Sequence, residues 1–251
     1  MLKEIVIAIQ AYRKAHIFIG KHRLWKWILI PGFAYMILFS VGLYFFWISA
    51  DTAVSQLFSG LDKWLHKQQS PAYSFAAIMV GIMARLIMML FYFSLFKYLF
   101  LILGSPVFSY LSEKSESIIE GKEFVFNREV FFKDIRRGIK LALRNCFWQT
   151  IYTIFILMLS FIPLVGSIAP VIAGLVECYY YGFSMLDYSC ERHDLSPSES
   201  ISFINRRRGL AIGNGLVFYL MHFIPFVGWV LAPSYALVAA TISLYHQNID
   251  T

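Results

Sequence analysis

The chain's 251 residues are 59% hydrophobic and only 15% charged, with a mean hydropathy of +0.62. Soluble domains hold about 45–50% apolar and about 25% charged residues, so these proportions exclude an ordinary soluble domain and predict an integral membrane protein partnered by the lipid bilayer. The formal net charge of +7 matches the cytoplasmic excess of Lys and Arg on membrane proteins and calls for no nucleic-acid partner.

Residues 1–26 combine Lys3 and Glu4 with a short apolar stretch, then Arg13 and Lys14. No small-residue cleavage site follows, so a cleaved signal peptide is not expected; the segment reads as an amphipathic helix lying on the membrane surface. Trp27 to Ala50 is almost free of polar residues, with Trp25, Trp27 and Trp47 near its ends and Pro31 close to its start. At about 1.5 Å per residue it crosses a ~30 Å hydrocarbon core, which predicts a spanning helix over 27–50. Asp51 to Ser74 reads as a polar loop. Residues 75–103 predict a second spanning helix, carrying Arg85 and Lys97 and ending at Gly104-Ser105-Pro106. Residues 107–144 predict a polar helical region with a basic side around Lys133–Lys140.

Two apolar runs follow, 146–186 and 209–245, separated by a polar stretch with a turn near Ser196-Pro197-Ser198 and the triplet Arg206-Arg207-Arg208. Each run holds the same bend. The first has Ile162-Pro163-Leu164-Val165-Gly166 and then Pro170; the second has Ile224-Pro225-Phe226-Val227-Gly228 and then Pro233. Proline removes an N–H and clashes with the preceding turn, so neither run forms one uninterrupted helix. Basic helix ends, Arg144 and Arg208, precede both bends. Internal duplication accounts for the match, but so does the sameness of apolar limbs.

Each broken run could be a kinked full span or a hairpin that returns to the side it came from. A limb such as 147–162 is short for a crossing of ~20 residues. Loop charge discriminates further. Lys and Arg number six in Met1–Lys26, two in Asp51–Ser74, eight in Val107–Arg144 and four in Asp187–Arg208. Hairpins place the three rich segments on one side, the cytoplasmic one, and full spans do not. The expected fold is an all-α integral membrane protein: two spanning helices, two proline-bent re-entrant hairpins and a helical cytoplasmic extension, in one membrane domain. The N-terminus and both hairpin exits then face the cytoplasm. Non-helical backbone at membrane depth needs burial or a wet cavity, and paired broken helices mark transporter sites. Half-helix ends offer N–H groups suited to an anion. The residues therefore point to a transporter or channel, with an anion as the cargo.

Gly104-Ser105-Pro106 followed by Leu111-Ser112-Glu113-Lys114, the twin bends, and Asp187-Tyr188 at the end of the first broken run together resemble the CysZ family, grouped with the etoposide-induced-protein-like proteins. That resemblance implies a bacterial inner-membrane sulfate permease with two spanning helices, two half-penetrating hairpins and assembly into homo-oligomers. One departure concerns the segment before the first span, where the family carries Pro-Gly and then an arginine pair associated with sulfate. Here His22-Arg23 and Trp25-Lys26 stand instead, and Lys26 keeps a charge without the planar fork of arginine. Lys21, His22, Arg23 and Lys26 could still hold the anion, or could anchor lipid headgroups.

Further pathway candidates are ionisable or polar residues inside apolar runs. Glu177 has Arg85 and Lys97 as potential partners, with a structural ion pair as the alternative. Arg206, Arg207 and Arg208 could funnel an anion, or set topology and touch acidic lipid. Asn214, between Gly213 and Gly215, could present its amide, although small residues there also suit close helix packing. His222 lies three residues before Pro225. Cys146, Cys178 and Cys190 show neither metal-ligand nor disulfide spacing, and no cofactor is expected. No hydrolase, metalloprotease or P-loop motif is present, so an enzyme is not expected. The alternative to a permease is a non-transporting membrane scaffold or lipid-interacting protein of the same fold.

Overall fold

The computed structural model describes residues 1–64, 71–123, 128–160, 162, 165–193 and 195–245. Pro163 of the first bend lies outside the described residues. Every regular element among them is an α-helix: α1 (Leu2–Lys21), α2 (Trp25–Trp64), α3 (Pro71–Glu120), α4 (Arg128–Leu159), α5 (Val165–Arg192), α6 (Pro197–Arg206), α7 (Arg208–His222) and α8 (Val227–Tyr245). Four stretches of the described residues are long and apolar enough to cross a bilayer, Trp25–Gln56, Ile78–Glu120, Arg128–Leu159 and Val227–Tyr245.

The chain divides into two compact units, Met1–Met36 with Tyr98–Thr251, and Ile37–Lys97. The smaller is an antiparallel pair. As one limb advances from Phe39 to Asp51 its contacts on the other fall back from Phe93 and Phe96 to Arg85. Tyr92 donates to the Phe39 carbonyl at 3.2 Å. Arg85 meets Asp51 at 2.9 Å, and Lys97 is buried at the unit's end.

The larger unit is organised round α8, which is buried from Val230 to Leu244 almost without interruption and packs on α1, α5 and α7. A helix apolar on all sides belongs in an interior, and this one is rich in Ala and Ser, so its neighbours come close. Helix α1 presents Ala8, Ala11, Tyr12, Ala15 and Ile19, one helical face, to α7 and α8. It is packed into the protein along that face, and Leu2, Val6, Ile9 and Ile17 stay exposed on its other side. Glu4 accepts a hydrogen bond from the Gly209 N–H at 3.0 Å, placing a carboxylate at the start of α7, where the helix dipole favours it.

Two expected boundaries are corrected. Helix α2 continues through Asp51 to Trp64, where a polar loop was expected, and α3 does not end at Gly104-Ser105-Pro106 but runs to Glu120. At about 1.5 Å per residue they reach ~60 and ~75 Å, longer than a ~30 Å core, so both carry on as helices beyond it. Pro106 deprives one carbonyl of its helical partner, yet the turns after it bury Phe108 and Leu111 completely, and that packing keeps the helix going. Likewise α4 passes through Arg144 without interruption, so residues 107–144 divide between two helices rather than forming one region.

The twin bends share a bond. The Gly166 N–H donates to the Ile162 carbonyl at 2.9 Å, and the Gly228 N–H donates to the Ile224 carbonyl at 2.9 Å. A Cβ on Gly166 would stand 2.3 Å from the Ser160 carbonyl oxygen, and one on Gly228 1.8 Å from that of Met221. Only glycine permits the chain to fold back this tightly. Pro170 and Pro233 fall inside α5 and α8, where each leaves a carbonyl four residues earlier without its helical donor.

Candidate functional site

Three constellations carry the chemistry of the larger unit. The first is a turn. Leu24 N–H donates to the Ile19 carbonyl and Arg23 N–H to that of Gly20, while Arg23 has φ of +53°. This is a Schellman ending of α1, sealed by the buried pair Ile19 and Leu24, with arginine in the left-handed position that glycine normally fills. Forcing a side chain into that conformation costs about 1 kcal/mol or more. Lys21, Arg23 and Lys26 are exposed, His22 is half-buried against Phe18 at 4.7 Å between ring centroids, and no carboxylate pairs with the three cations among the described residues.

The second is a chain of side chains from four helices. Tyr98 on α3 donates to Gln149 Oε1 on α4 at 2.6 Å, Gln149 Nε2 donates to Glu177 Oε1 on α5, and Tyr219 on α7 donates to Glu177 Oε2 at 2.8 Å. Both carboxylate oxygens are thus hydrogen-bonded. Glu177 accepts from a neutral amide and a phenol. Within the smaller unit Arg85 pairs with Asp51. Gln149 was not anticipated. Its signal was legible as Asn145 and Gln149 four apart on α4, polar residues on one face of an apolar stretch, and both are fully buried.

The third, also unforeseen as a unit, is a buried ion network joining the end of α3, the start of α4 and the end of α5. Arg137 meets Asp187 at 3.0 Å and Glu191 at 3.6 Å, and donates to Ser200 Oγ at 2.6 Å and to the Leu195 carbonyl. Arg192 pairs with Asp134, bonds Ser109 Oγ at 2.9 Å and faces Glu113 at 3.9 Å; His193 lies 3.0 Å from Glu116. Five carboxylates therefore share two guanidinium groups and one imidazole. Burial, with that excess of acid adding to it, pushes the Glu191 carboxyl up to about 8. Burial raises Asp187 as well, against the pull of Arg137. Beside this network Gly138 is wedged against Ser105 and Tyr188, so the Gly-Ser-Pro and Asp-Tyr motifs meet there although far apart in the chain.

The remaining candidates scatter. Asn214 is buried: its Nδ2 donates to the Ala236 carbonyl at 2.9 Å, and its backbone carbonyl accepts from Tyr12 at 2.8 Å. His222 sits among the rings of Tyr35, Phe218 and Trp229, and its carbonyl accepts from Trp229 Nε1 at 3.0 Å. The arginine triplet diverges. Arg206 is exposed, Arg207 stacks over Phe203 at 4.5 Å, and Arg208 donates to the Asn205 carbonyl at 3.1 Å. No cluster of His, Cys, Asp and Glu able to hold a metal occurs among the described residues.

The family described as "Sulfate transporter CysZ/Etoposide-induced protein 2.4" matches residues 11–233. A protein of Pseudomonas aeruginosa (strain LESB58) named Sulfate transporter CysZ is 26% identical over 217 residues, 86% of this chain and 85% of the relative. Proteins of the same name from Pseudomonas fluorescens (strain Pf0-1) and Pseudomonas syringae pv. tomato (strain DC3000) are 23% and 24% identical, covering 86% of this chain in each case and 83% and 87% of the relatives. With four helices among the described residues long and apolar enough to cross a bilayer, the chain is a multi-pass membrane protein. The resemblance read from the Gly-Ser-Pro segment, the twin bends and Asp187-Tyr188 is borne out: the chain belongs to the Sulfate transporter CysZ/Etoposide-induced protein 2.4 family.

Proposed function

We propose that the chain is a permease passing sulfate, or a closely related small oxyanion, across the bacterial inner membrane without an enzymatic step. The observation that carries this reading is the family match over residues 11–233, with relatives named as sulfate transporters along most of their length. Uptake of radiolabelled sulfate into proteoliposomes tests it. Influx above that of protein-free liposomes is expected, and equal influx overturns the proposal.

In this reading the turn at Lys21, His22, Arg23 and Lys26 collects the anion. Strain kept at one position is a pointer to use, and Arg23 stands where the family's glycine would be free of strain. Arg23→Gly is therefore expected to make the protein about 1 kcal/mol more stable while raising the half-saturating sulfate concentration roughly tenfold, the scale of one charge-assisted contact. A variant that gains stability and keeps its sulfate response removes Arg23 from the anion's route.

The two broken runs, α4–α5 and α7–α8, act as hairpins that enter the bilayer and turn back. Helix α7 has 15 residues, ~22 Å, too short to cross alone. The second bend exposes Phe223 (82%), Ile224, Phe226 and Val227, an apolar tip suited to lipid. In a cysteine-free background, Ser202→Cys should react with an impermeant maleimide from the same side as Lys3→Cys and from the side opposite Gln69→Cys. Labelling of Ser202→Cys from the far side would make the runs full spans.

A further inference from the structure

The two arginines that precede the bends, Arg144 within α4 and Arg208 at the start of α7, come together in space. They line one groove of about 580 Å³ together with Tyr179. The volume is within the ~300–1,000 Å³ of small-molecule sites. Neither arginine has a carboxylate partner among the described residues: Arg144 donates to Asn145 Oδ1 at 3.1 Å and Arg208 to a backbone carbonyl, which leaves most of their donors unused. Tyr179 in turn donates to Asn205 Oδ1 at 2.8 Å.

The wall leading away from this cationic mouth is apolar. It is formed by Trp148 and Tyr152 on successive turns of α4 and by Ile172 and Leu175 on α5, each more than 40% exposed. A free inorganic anion gains nothing from such a wall. A phospholipid uses both parts, with its phosphate between the guanidinium groups and an acyl chain along α4 and α5. Trp and Tyr sit at the level where headgroup meets hydrocarbon, and basic pockets between membrane helices hold acidic headgroups.

We infer that the Arg144–Arg208 groove is a binding site for one anionic phospholipid, phosphate at the arginine pair and acyl chain against Trp148. The inference is independent of the transport reading, because it requires no ion flux. Its location ties the two broken runs at equivalent points, so the occupant bridges α4 and α7.

The test uses delipidated full-length protein in neutral detergent. It is titrated with phosphatidylglycerol brominated along its acyl chains, and in parallel with brominated phosphatidylcholine, while tryptophan quenching is read. Phosphatidylglycerol is expected to quench saturably and at lower concentration, and Trp148→Phe should remove that saturable part. The double variant Arg144→Gln/Arg208→Gln should shift half-saturation about thirtyfold, at about tenfold or less per charge near a membrane surface, whereas Arg144→Lys/Arg208→Lys should keep most of the affinity. Sodium sulfate at millimolar concentration should leave the quenching unchanged. Equal quenching by both lipids, an unshifted glutamine double variant, or an undiminished signal in Trp148→Phe overturns the site. Displacement by sulfate would reassign the arginine pair to free oxyanions.

Discussion

Gly215→Val is expected to abolish the folded protein in detergent, or to cost about 3 kcal/mol or more if a folded fraction survives, above the usual range for an overpacked core. A Cβ on Gly215 would lie 2.0 Å from the Cys178 carbonyl oxygen, and one on Gly182 1.9 Å from that of Ala211. Carbon and carbonyl oxygen settle at about 3.3 Å or beyond, so α5 and α7 would have to part by about an ångström. They cannot part freely, because α8 packs against both. The reciprocal arrangement, a glycine of each helix under a carbonyl of the other, brings backbone against backbone at two points of this crossing. Small residues at helix crossings let van der Waals attraction replace the hydrophobic drive that lipid removes. Gly174 provides the comparison, since a Cβ there meets nothing within 4 Å. Gly174→Ala should be neutral or stabilising by up to about 1 kcal/mol, the helix propensity difference. Thermal unfolding monitored by size-exclusion chromatography separates the two. A Gly215→Val protein as stable as Gly174→Ala would mean that the crossing is looser than drawn.

How much of this was legible depended on whether the cause was local. The bends were, because proline and glycine impose their geometry wherever they occur, and Gly166 and Gly228 make the same bond to Ile162 and Ile224. The helix ends were not. Gly104-Ser105-Pro106 has the form of a stop, yet Phe108 packs against Phe100 and Tyr188, and contacts from distant sequence override a weak local preference. The same limit hid the ion network. Lys133–Lys140 has the pattern of a solvated basic face, and only the end of α5 alongside it turns Asp134 and Arg137 inward. Asp187 stood out as a motif residue, but its partner could not be named from one chain. Arg23 in a left-handed turn was beyond reach for another reason: propensity argues against the residue that is there. That Gln149 and Tyr219 bond Glu177 was not legible, because a neutral amide and a phenol in apolar runs carry no charge pattern to pair them with it.

Arg137→Met should destabilise the protein by about 3–5 kcal/mol, the cost of breaking a buried pair by removing one partner. Arg137, Asp187 and Glu191 have side chains only 11%, 6% and 6% exposed, so none can recover solvation in place. The loss should depend on pH, with a sign that follows from the carboxylates. Glu191 lies at about 8 when folded against an ordinary 4.5, with burial as the main cause and Asp134 adding to it, while Arg137 opposes. A carboxyl raised by folding supports the folded state fully below its ordinary value, and that support is lost as pH rises through the folded value. The parent protein should therefore lose melting temperature between about pH 5 and about pH 8, and Glu191→Gln should flatten that decline. Removing Arg137 withdraws the opposing charge from Glu191 and Asp187 and moves both further up. The variant's deficit should consequently be smallest in acid, where both groups are neutral, and largest above pH 8. Adding Asp187→Asn and Glu191→Gln to Arg137→Met removes the stranded charges and should recover part of the loss. A deficit below about 1 kcal/mol, the size of an exposed pair, or one independent of pH, would show that water reaches these groups and that the network does not hold α4 to α5.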